Sequence, residues 1–213
     1  DGGTYQPPSI DSWVFDGGPA AEDEAFALNS KVSGTITLND LSAAHLISVT
    51  LSDLPDDTIV EKKLGNGDFV DISKTVISED GVDRSVWTVS VKVPAGGNGQ
   101  AALEDLLDAI TITTPKDMND NFAAFTVNGD PINDFLLNAE LRVTVIGGPS
   151  VAADLSQVLP ITPVTDAATV TIDTEAVDER SPAVRATVSV AKGDAGPSVI
   201  VDGKLYVQVN ASA

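Results

Sequence analysis

The sequence predicts an all-β fold, a β-sandwich with one short helix, and three observations support this prediction. Many short segments alternate apolar with polar residues, which is typical of strands with one buried face. Turn signals built from Gly, Pro, Asn and Asp separate these segments at intervals of roughly ten residues. A helical period occurs over one stretch only, 100–109. The 213 residues, 42% of them hydrophobic, are enough for one large or two small β domains.

Strand-like segments occur along the whole chain. The clearest is 86–93, in which Trp87, Val89, Val91 and Val93 share one face while the residues between them point the other way. The predicted strands are 33–38, 46–52, 86–93, 110–114, 122–127, 139–145, 157–161, 169–172, 184–190, 198–201 and 205–209.

The predicted helix follows the Gly-rich segment 94–99. Leu103, Leu106, Leu107 and Ile110 lie at positions i, i+3, i+4 and i+7, so they form one apolar stripe. We therefore expect a short amphipathic helix here, running directly into the strand at 110–114.

The domain organisation follows from composition. Residues 1–21 are rich in Gly and Pro and are predicted to be a linker or an edge segment. Residues 22–163 are predicted to form the β-sandwich module. Two prolines near residue 163 mark its end. Residues 164–213 form a second short β region, which either begins a second module or completes the first sandwich.

Charge and cysteine content exclude several classes of function. Twelve Lys and Arg stand against 32 Asp and Glu, a formal charge of −20. This balance disfavours nucleic acids and anionic membrane surfaces and favours divalent cations or basic partners. The chain has no cysteine, so disulfides and thiolate metal sites are excluded. It has no apolar run of about 18 residues, so we expect no membrane insertion.

One loop contains the clearest candidate metal ligands in the sequence. Asp117, Asn119 and Asp120 place oxygen-bearing side chains within four residues, between two predicted strands. Ca²⁺ binds about six to eight such oxygens, so these three residues are candidate calcium ligands. The alternative is an Asx-turn whose acids are solvated. A second acidic turn at 53–57 allows the same two interpretations, and there the solvated turn is favoured.

Catalysis is not expected. His45 is the single histidine, and no Gly-x-Ser-x-Gly elbow accompanies it. Acidic residues are so frequent that pairs of carboxylates do not indicate a glycosidase. The sequence therefore predicts a protein that is not an enzyme.

Two resemblances connect these features. The segment 117–125 (DMNDNFAAF) is similar to the calcium-binding linker of cadherins, Asp-x-Asn-Asp-Asn-x-Pro-x-Phe, with Ala123 in the place of the proline. Over residues 20–170 the chain resembles the immunoglobulin- or cadherin-like modules of bacterial RTX adhesins, which are large repetitive surface proteins. The matching phrases are VTLSDLP at 49–55, the helix and strand leading into the loop, and TPVTDA at 162–167.

The resemblance to RTX adhesins implies an immunoglobulin/cadherin-like sandwich stabilised by Ca²⁺. Since the modules of that family place acids near their ends, it adds Glu22, Asp23, Glu24 and Asp166 to the candidate ligands. It implies an extracellular location on a bacterial cell surface and a role as a structural extender in adhesion and biofilm formation. The partners would be neighbouring modules of the same chain, with the module itself a monomer. The alternative is a domain that binds a surface glycan or peptide.

Overall fold

The structure is a computed structural model, and it describes residues 5–79, 82–116, 118 and 125–164, with four strands of the segment that follows. The fold is all-β, as the sequence predicts. The chain forms two compact units, 1–163 and 164–213, and each is described by itself.

The first unit contains most of the described strands and one α-helix. The helix α1 spans Gly99–Ala109, and a 3₁₀ turn spans Leu28–Ser30. The strands are β1 (Ser9–Phe15), β2 (Ala20–Ala21), β3 (Ala25–Ala27), β4 (Val32–Thr37), β5 (His45–Ser52), β6 (Ile59–Lys63), β7 (Phe69–Asp71), β8 (Thr75–Glu79), β9 (Val82–Val93), β10 (Ile110–Thr113), β11 (Thr126–Val127), β12 (Asp130–Pro131), β13 (Leu136–Val145), β14 (Ser150–Val158) and β15 (Ile161–Thr162).

Two antiparallel sheets dominate this unit. One has five strands in the order β14-β13-β5-β9-β8, and the other has four in the order β3-β10-β6-β7. β1 pairs with β4, β11 with β12, and the short β15 runs parallel to β2. β7 and β8 are consecutive in the chain, and they form the edges of the two larger sheets on the same side of the unit.

The core lies between these sheets and is closed by the helix. Leu51, Val89 and Leu141 from the five-stranded sheet join Val60 and Ile112 from the four-stranded sheet in one buried cluster. Alternation explains this, because every second residue of an antiparallel strand points to the same face. The sheets are therefore half-buried layers with one solvated face each.

Helix α1 packs where its apolar stripe predicts. Leu103, Leu106 and Leu107 are all buried. The Asn98 side chain accepts a hydrogen bond from the Ala101 backbone N–H at 3.1 Å, which caps the first turn. Gly99 lies against the Leu38 side chain, so the helix begins in close contact with the end of β4.

Several strands differ from the sequence-based expectation, and β6, β7 and β8 lie in a stretch where the sequence predicts none. β1 lies inside the stretch 1–21, and Trp13 on β1 is buried. β14 spans Ser150–Val158, whereas the sequence predicts a strand only at 157–161. The predicted strand 122–127 is described only from residue 125 onward, and β11 occupies its last two residues.

The turn between β1 and β2 wraps around Lys31. Its ammonium Nζ donates to the carbonyls of Gly18 and Pro19 at 2.9 and 2.7 Å and lies 5.4 Å from the centre of the Phe26 ring. Burial lowers the pKa of this lysine below its ordinary value. The Gly17 N–H donates to the Lys31 carbonyl, so hydrogen bonds in both directions join the turn to Lys31.

This close approach predicts that substitution of Gly17 destabilises the fold far more than substitution of Gly18. A Cβ atom at Gly17 would lie 2.5 Å from the Lys31 Cα atom, whereas one at Gly18 would meet nothing within 4 Å. We expect Gly17→Ala to lower the free energy of unfolding by about 1–3 kcal/mol, the usual cost of overpacking against backbone. Gly18→Ala is the matched control and should change it by less than about 0.5 kcal/mol. Urea denaturation followed by circular dichroism measures both, and equal effects would contradict this packing.

The second unit is described only through its strands. β16 (Thr169–Thr174) pairs antiparallel with β17 (Ala186–Ala191), and β18 (Ser198–Val201) pairs antiparallel with β19 (Lys204–Val207). Across the described residues of the whole chain, no helix is long and apolar enough to cross a membrane.

Candidate metal centre

Acidic loops gather at one end of the first unit. The turn 53–58 connects the last residue of β5 to the first residue of β6, so both larger sheets reach this end. The register places Ala25 opposite Thr113 and Thr113 opposite Ile59. The acidic segment 22–24, the turn 53–58 and the residues after β10 are therefore neighbours, and we call this the acidic end.

A cavity of about 550 Å³ opens at the acidic end. Asp23 and Asp57 contribute carboxylates to its lining, and Lys116 contributes an ammonium group. The other lining residues are Ile59, Thr113, Thr114, Pro115 and Phe125. The cavity therefore brings together acids from two loops that are 34 positions apart in the chain.

One feature of this cavity is unusual for an ordinary surface depression. Thr114 is 3% exposed, and its Oγ1 has no hydrogen-bond partner among the described residues. A buried hydroxyl without a partner is costly, so its partner is expected outside the described residues, either in a bound ligand or in the rest of the chain. Asp23 adopts φ = 60°, in the left-handed region, as Asp53 and Asn128 also do, and Asp and Asn enter this region more often than most other non-glycine residues.

The other acids of the turn 53–57 are held by protein donors. Asp56 accepts from the Thr126 hydroxyl at 2.6 Å, from the Gly129 and Asn128 backbone N–H groups at 3.2 Å, and from Lys74 at 3.4 Å. Burial alone would raise the pKa of Asp56, but these hydrogen bonds and the lysine charge lower it below its ordinary value.

Asp53 is held in the same way. Arg84 donates to its Oδ2 from Nε at 3.0 Å and from Nη2 at 2.8 Å, and Asn128 donates to its Oδ1 at 3.3 Å. The Ser85 hydroxyl in turn donates to the Asn128 side chain. Asp53 and Asp56 thus fasten the turn to β9 and to the β11–β12 hairpin. This arrangement supports the structural interpretation of these two acids, while Asp57 faces the cavity.

The seven predicted ligands are placed unequally. Asp117, Asn119, Asp120 and Asp166 lie outside the described residues. Glu22 is buried, with its backbone N–H bonded to the Thr162 carbonyl at 3.0 Å, and Glu24 is exposed. Only Asp23 of the three described acids lines the cavity. No group of three or more His, Cys, Asp or Glu among the described residues is arranged to hold a metal ion.

The cavity lining supplies carboxylate oxygens and a hydroxyl, which are ligands of the kinds that Ca²⁺ binds, together with the ammonium group of Lys116. The described residues supply fewer oxygens than the six to eight or so that calcium needs. β10 ends at the cavity and leads directly into the predicted ligand loop that begins at Asp117. The loop stays a prediction as the source of the remaining ligands.

His45 is buried at the start of β5. It is 1% exposed, and its Nε2 makes no hydrogen bond within the described part of the chain. It pairs across the sheet with Val93 and Val145, two core residues at the end of the sandwich opposite to the acidic end.

Sequence reasoning did not single out Asp57 or Thr114. Asp57 belongs to an acidic triplet whose members the sequence cannot tell apart. Thr114 has no sequence signal beyond its place between a strand and a proline. The antiparallel pairing of β10 with β6 brings Asp57 and Thr114 together, and the two strands are distant in the sequence.

Comparisons with known proteins add no identification. No protein-family model, no curated protein and no solved structure matches this chain.

Proposed function

We propose that this chain is a calcium-stabilised extracellular β-sandwich module of a bacterial surface adhesin, acting as a structural extender in adhesion. The observation that carries the proposal is the cavity at the acidic end, which Asp23 and Asp57 line together with Thr114, whose hydroxyl has no hydrogen-bond partner among the described residues. The adhesin context comes from the resemblance of residues 20–170 to RTX adhesin modules.

Electrostatics supports a cation at this end. The chain carries a formal charge of −20, and loops holding Asp23, Asp53, Asp56 and Asp57 converge on one end of the sandwich. Like charges in a small region oppose the compact state, and a bound divalent cation relieves this repulsion. The lysine and arginine that hold Asp56 and Asp53 are already engaged. Asp23 and Asp57 line the open space together with the ammonium group of Lys116, so the acids outnumber the basic group there by one.

A bound Ca²⁺ would supply two positive charges and a coordination shell that ties loops together. Asp23, Asp57 and Thr114 would hold it from the described part of the chain, and Asp117, Asn119 and Asp120 are the predicted ligands from the loop. Because these residues come from three separate loops, the ion would resist splaying of the two sheets. An extender needs this resistance, since its function is to transmit force along the chain.

The test is calcium titration of the full chain by isothermal calorimetry. Asp57→Asn removes one carboxylate charge from the cavity. We expect it to weaken calcium binding at this site by at least about tenfold, equivalent to about 1.4 kcal/mol. Asp23→Asn should act in the same direction. Asp105→Asn is the matched control, because it removes one exposed acid from helix α1, away from the acidic end.

Three outcomes are decisive. Loss of affinity in the Asp23 and Asp57 variants with no loss in the Asp105 variant supports the site. No calcium binding by the wild-type chain at millimolar concentration overturns it. Equal weakening in all three variants would show that calcium is only a screening counterion.

A second function, binding of a surface glycan or peptide, is supported by one observation. The solvated face of the five-stranded sheet has a depression of about 430 Å³ lined by Thr50, Ser52, Asn138, Glu140 and Asp154, among others. Hydroxyl, amide and carboxylate groups of this kind bind sugar hydroxyls or peptide backbone. A glycan and peptide array distinguishes the two functions, because a pure extender binds nothing on it.

A further inference from the structure

Three asparagines of the chain directly precede a glycine, at 66–67, 98–99 and 128–129. This dipeptide is chemically labile, because glycine has no side chain to keep its backbone nitrogen away from the asparagine amide carbon. Attack of that nitrogen closes a succinimide ring and expels ammonia. The attack requires the asparagine side chain and the following peptide to rotate towards each other. The dipeptide is the same at all three sites, so differences between them come from the surrounding structure.

Asn128 is held by distant parts of the chain. Its Nδ2 donates to Asp53 Oδ1 at 3.3 Å and to the Asp83 carbonyl at 3.0 Å. Its Oδ1 accepts from the Ser85 hydroxyl. The N–H of the following glycine, which carries the attacking nitrogen, donates to the Asp56 carboxylate at 3.2 Å. Ring closure at Asn128 would therefore break hydrogen bonds to four separate residues.

Asn98 is the N-cap residue of helix α1. Its Oδ1 accepts from the Ala101 backbone N–H at 3.1 Å, and its backbone is extended, with φ = −84° and ψ = 105°. Gly99 is buried, and a Cβ added to it would come within 2.6 Å of the Leu38 side chain. Rotation of this peptide towards the Asn98 side chain would undo both the cap and the close packing, so the fold holds this site as well.

Asn66 lies at the exposed tip of the β6–β7 hairpin, where all residues from 63 to 71 are exposed. Among the described residues its side chain bonds only to Asp68, two positions further along the chain. Nδ2 donates to Asp68 Oδ2 at 2.7 Å, and Oδ1 accepts from the Asp68 backbone N–H at 3.1 Å. A Cβ added to Gly67 would meet nothing within 4 Å, so this peptide has room to rotate. Reorientation here breaks only contacts within the hairpin loop.

Two hydrogen bonds of this loop act on the reacting atoms in opposite directions. The Asp68 N–H polarises the Asn66 amide carbonyl, and the same bond stabilises the negative charge that develops on Oδ1 during attack. The Gly67 N–H donates to the Leu64 carbonyl at 2.9 Å, and this bond must open before the nitrogen reacts. Bonds in an exposed loop tip open readily, because local opening there costs little free energy.

We propose that Asn66 is a site of spontaneous deamidation, at which the Gly67 backbone nitrogen attacks Asn66 Cγ. The new N–Cγ bond replaces the Cγ–Nδ2 bond, and the proton lost by the Gly67 nitrogen leaves on the ammonia. One water molecule then opens the succinimide at either carbonyl, which gives aspartate or isoaspartate without any oxidant, reductant or enzyme. The site is independent of the calcium proposal, because the reaction needs only water and this loop.

Deamidation changes both the charge and the length of the hairpin loop. The product lacks the Nδ2 donor and places a second carboxylate beside Asp68, so repulsion replaces a hydrogen bond of 2.7 Å. Isoaspartate also adds one methylene group to the main chain between β6 and β7. β7 forms an edge of the four-stranded sheet, so the modification weakens the pairing of that edge.

Peptide mapping by mass spectrometry of the full chain, incubated at neutral pH, measures all three sites in one sample. We expect Asn66 to convert at least about tenfold faster than Asn98 or Asn128 in the native state, because the other two must give up hydrogen bonds that the fold maintains. The same incubation in concentrated urea is the control. There the three rates should agree within about threefold, since the unfolded chain no longer holds any of the sites.

The substitution Asn66→Gln verifies the chemistry, because its longer side chain closes a ring much more slowly and should remove the isoaspartate signal from this loop. The position is exposed, so the variant should fold, and a circular dichroism spectrum matching that of the wild type verifies this. The proposal is overturned if Asn66 converts at a rate similar to that of Asn98 or Asn128 in the native chain. A lead of Asn66 that is equally large in urea would also overturn it, since the fold would then not determine the site.

Discussion

Replacing Trp13 by alanine is expected to lower the free energy of unfolding by about 3–5 kcal/mol, the usual cost of deleting a buried indole. Trp13 is 8% exposed and lies against Gly34 of the paired strand β4, where an added Cβ would come within 2.9 Å of the ring. Its Nε1 donates a buried hydrogen bond to the Ala139 carbonyl on β13 at 3.0 Å. One side chain thus connects the β1–β4 pair to the five-stranded sheet.

A control substitution separates the apolar packing of Trp13 from its hydrogen bond. Trp13→Phe keeps most of the apolar volume and removes the hydrogen bond, so it should cost about 1–3 kcal/mol for the lost hydrogen bond and the smaller ring. Urea denaturation of the full chain followed by far-ultraviolet circular dichroism measures both variants. If Trp13→Ala changes the free energy of unfolding by less than about 1 kcal/mol, β1 does not pack against the sandwich as described.

Strand β1 shows why the sequence only partly predicts the fold. Its pairing with β4 shifts register between Ile10 and Ser12, and such an irregularity breaks the alternation that marks a strand. Gly and Pro on both sides then make the stretch look like a linker. The strongly alternating β5 and β13 and the leucine stripe of α1 have no such interruption, and the sequence predicts them well.

Strands β8 and β14 were harder to predict for a different reason. β14 directs Val151, Ala153 and Leu155 to the interior, where they are only partly buried. Edge strands bury less surface than central ones, and their apolar pattern is correspondingly weak. Their pairing is decided by contacts with distant strands, which a local pattern does not contain.

The candidate site likewise depends on long-range contacts that a local sequence pattern does not contain. The sequence places acids in three loops, and the resemblance to RTX adhesin modules adds Asp23 to the candidate ligands. It does not show that Asp53 and Asp56 are bonded to Arg84 and Thr126 while Asp57 lines the cavity. That distinction depends on which donors the fold brings to each carboxylate, and only the long-range register provides it.

The second large effect on stability is expected from calcium, which should raise the free energy of unfolding. A ligand that binds only the folded state stabilises it by RT ln(1 + [L]/Kd), about 2.7 kcal/mol when calcium exceeds the dissociation constant a hundredfold. For a domain of this size, each kcal/mol shifts the melting temperature by about 2–4 °C, so an increase of roughly 5–11 °C should follow. Asp57→Asn should reduce this increase, whereas Asp105→Asn should preserve it.

The most direct test is the melting temperature of the full 213-residue chain in 2 mM EDTA and in 5 mM CaCl₂, at equal ionic strength. Differential scanning calorimetry suits it, because it detects whether the two units melt separately. The account predicts that calcium raises the transition of the sandwich by roughly 5 °C or more, and that NaCl of matching ionic strength does not. Identical melting temperatures in EDTA and in calcium would contradict the proposal that calcium stabilises this module.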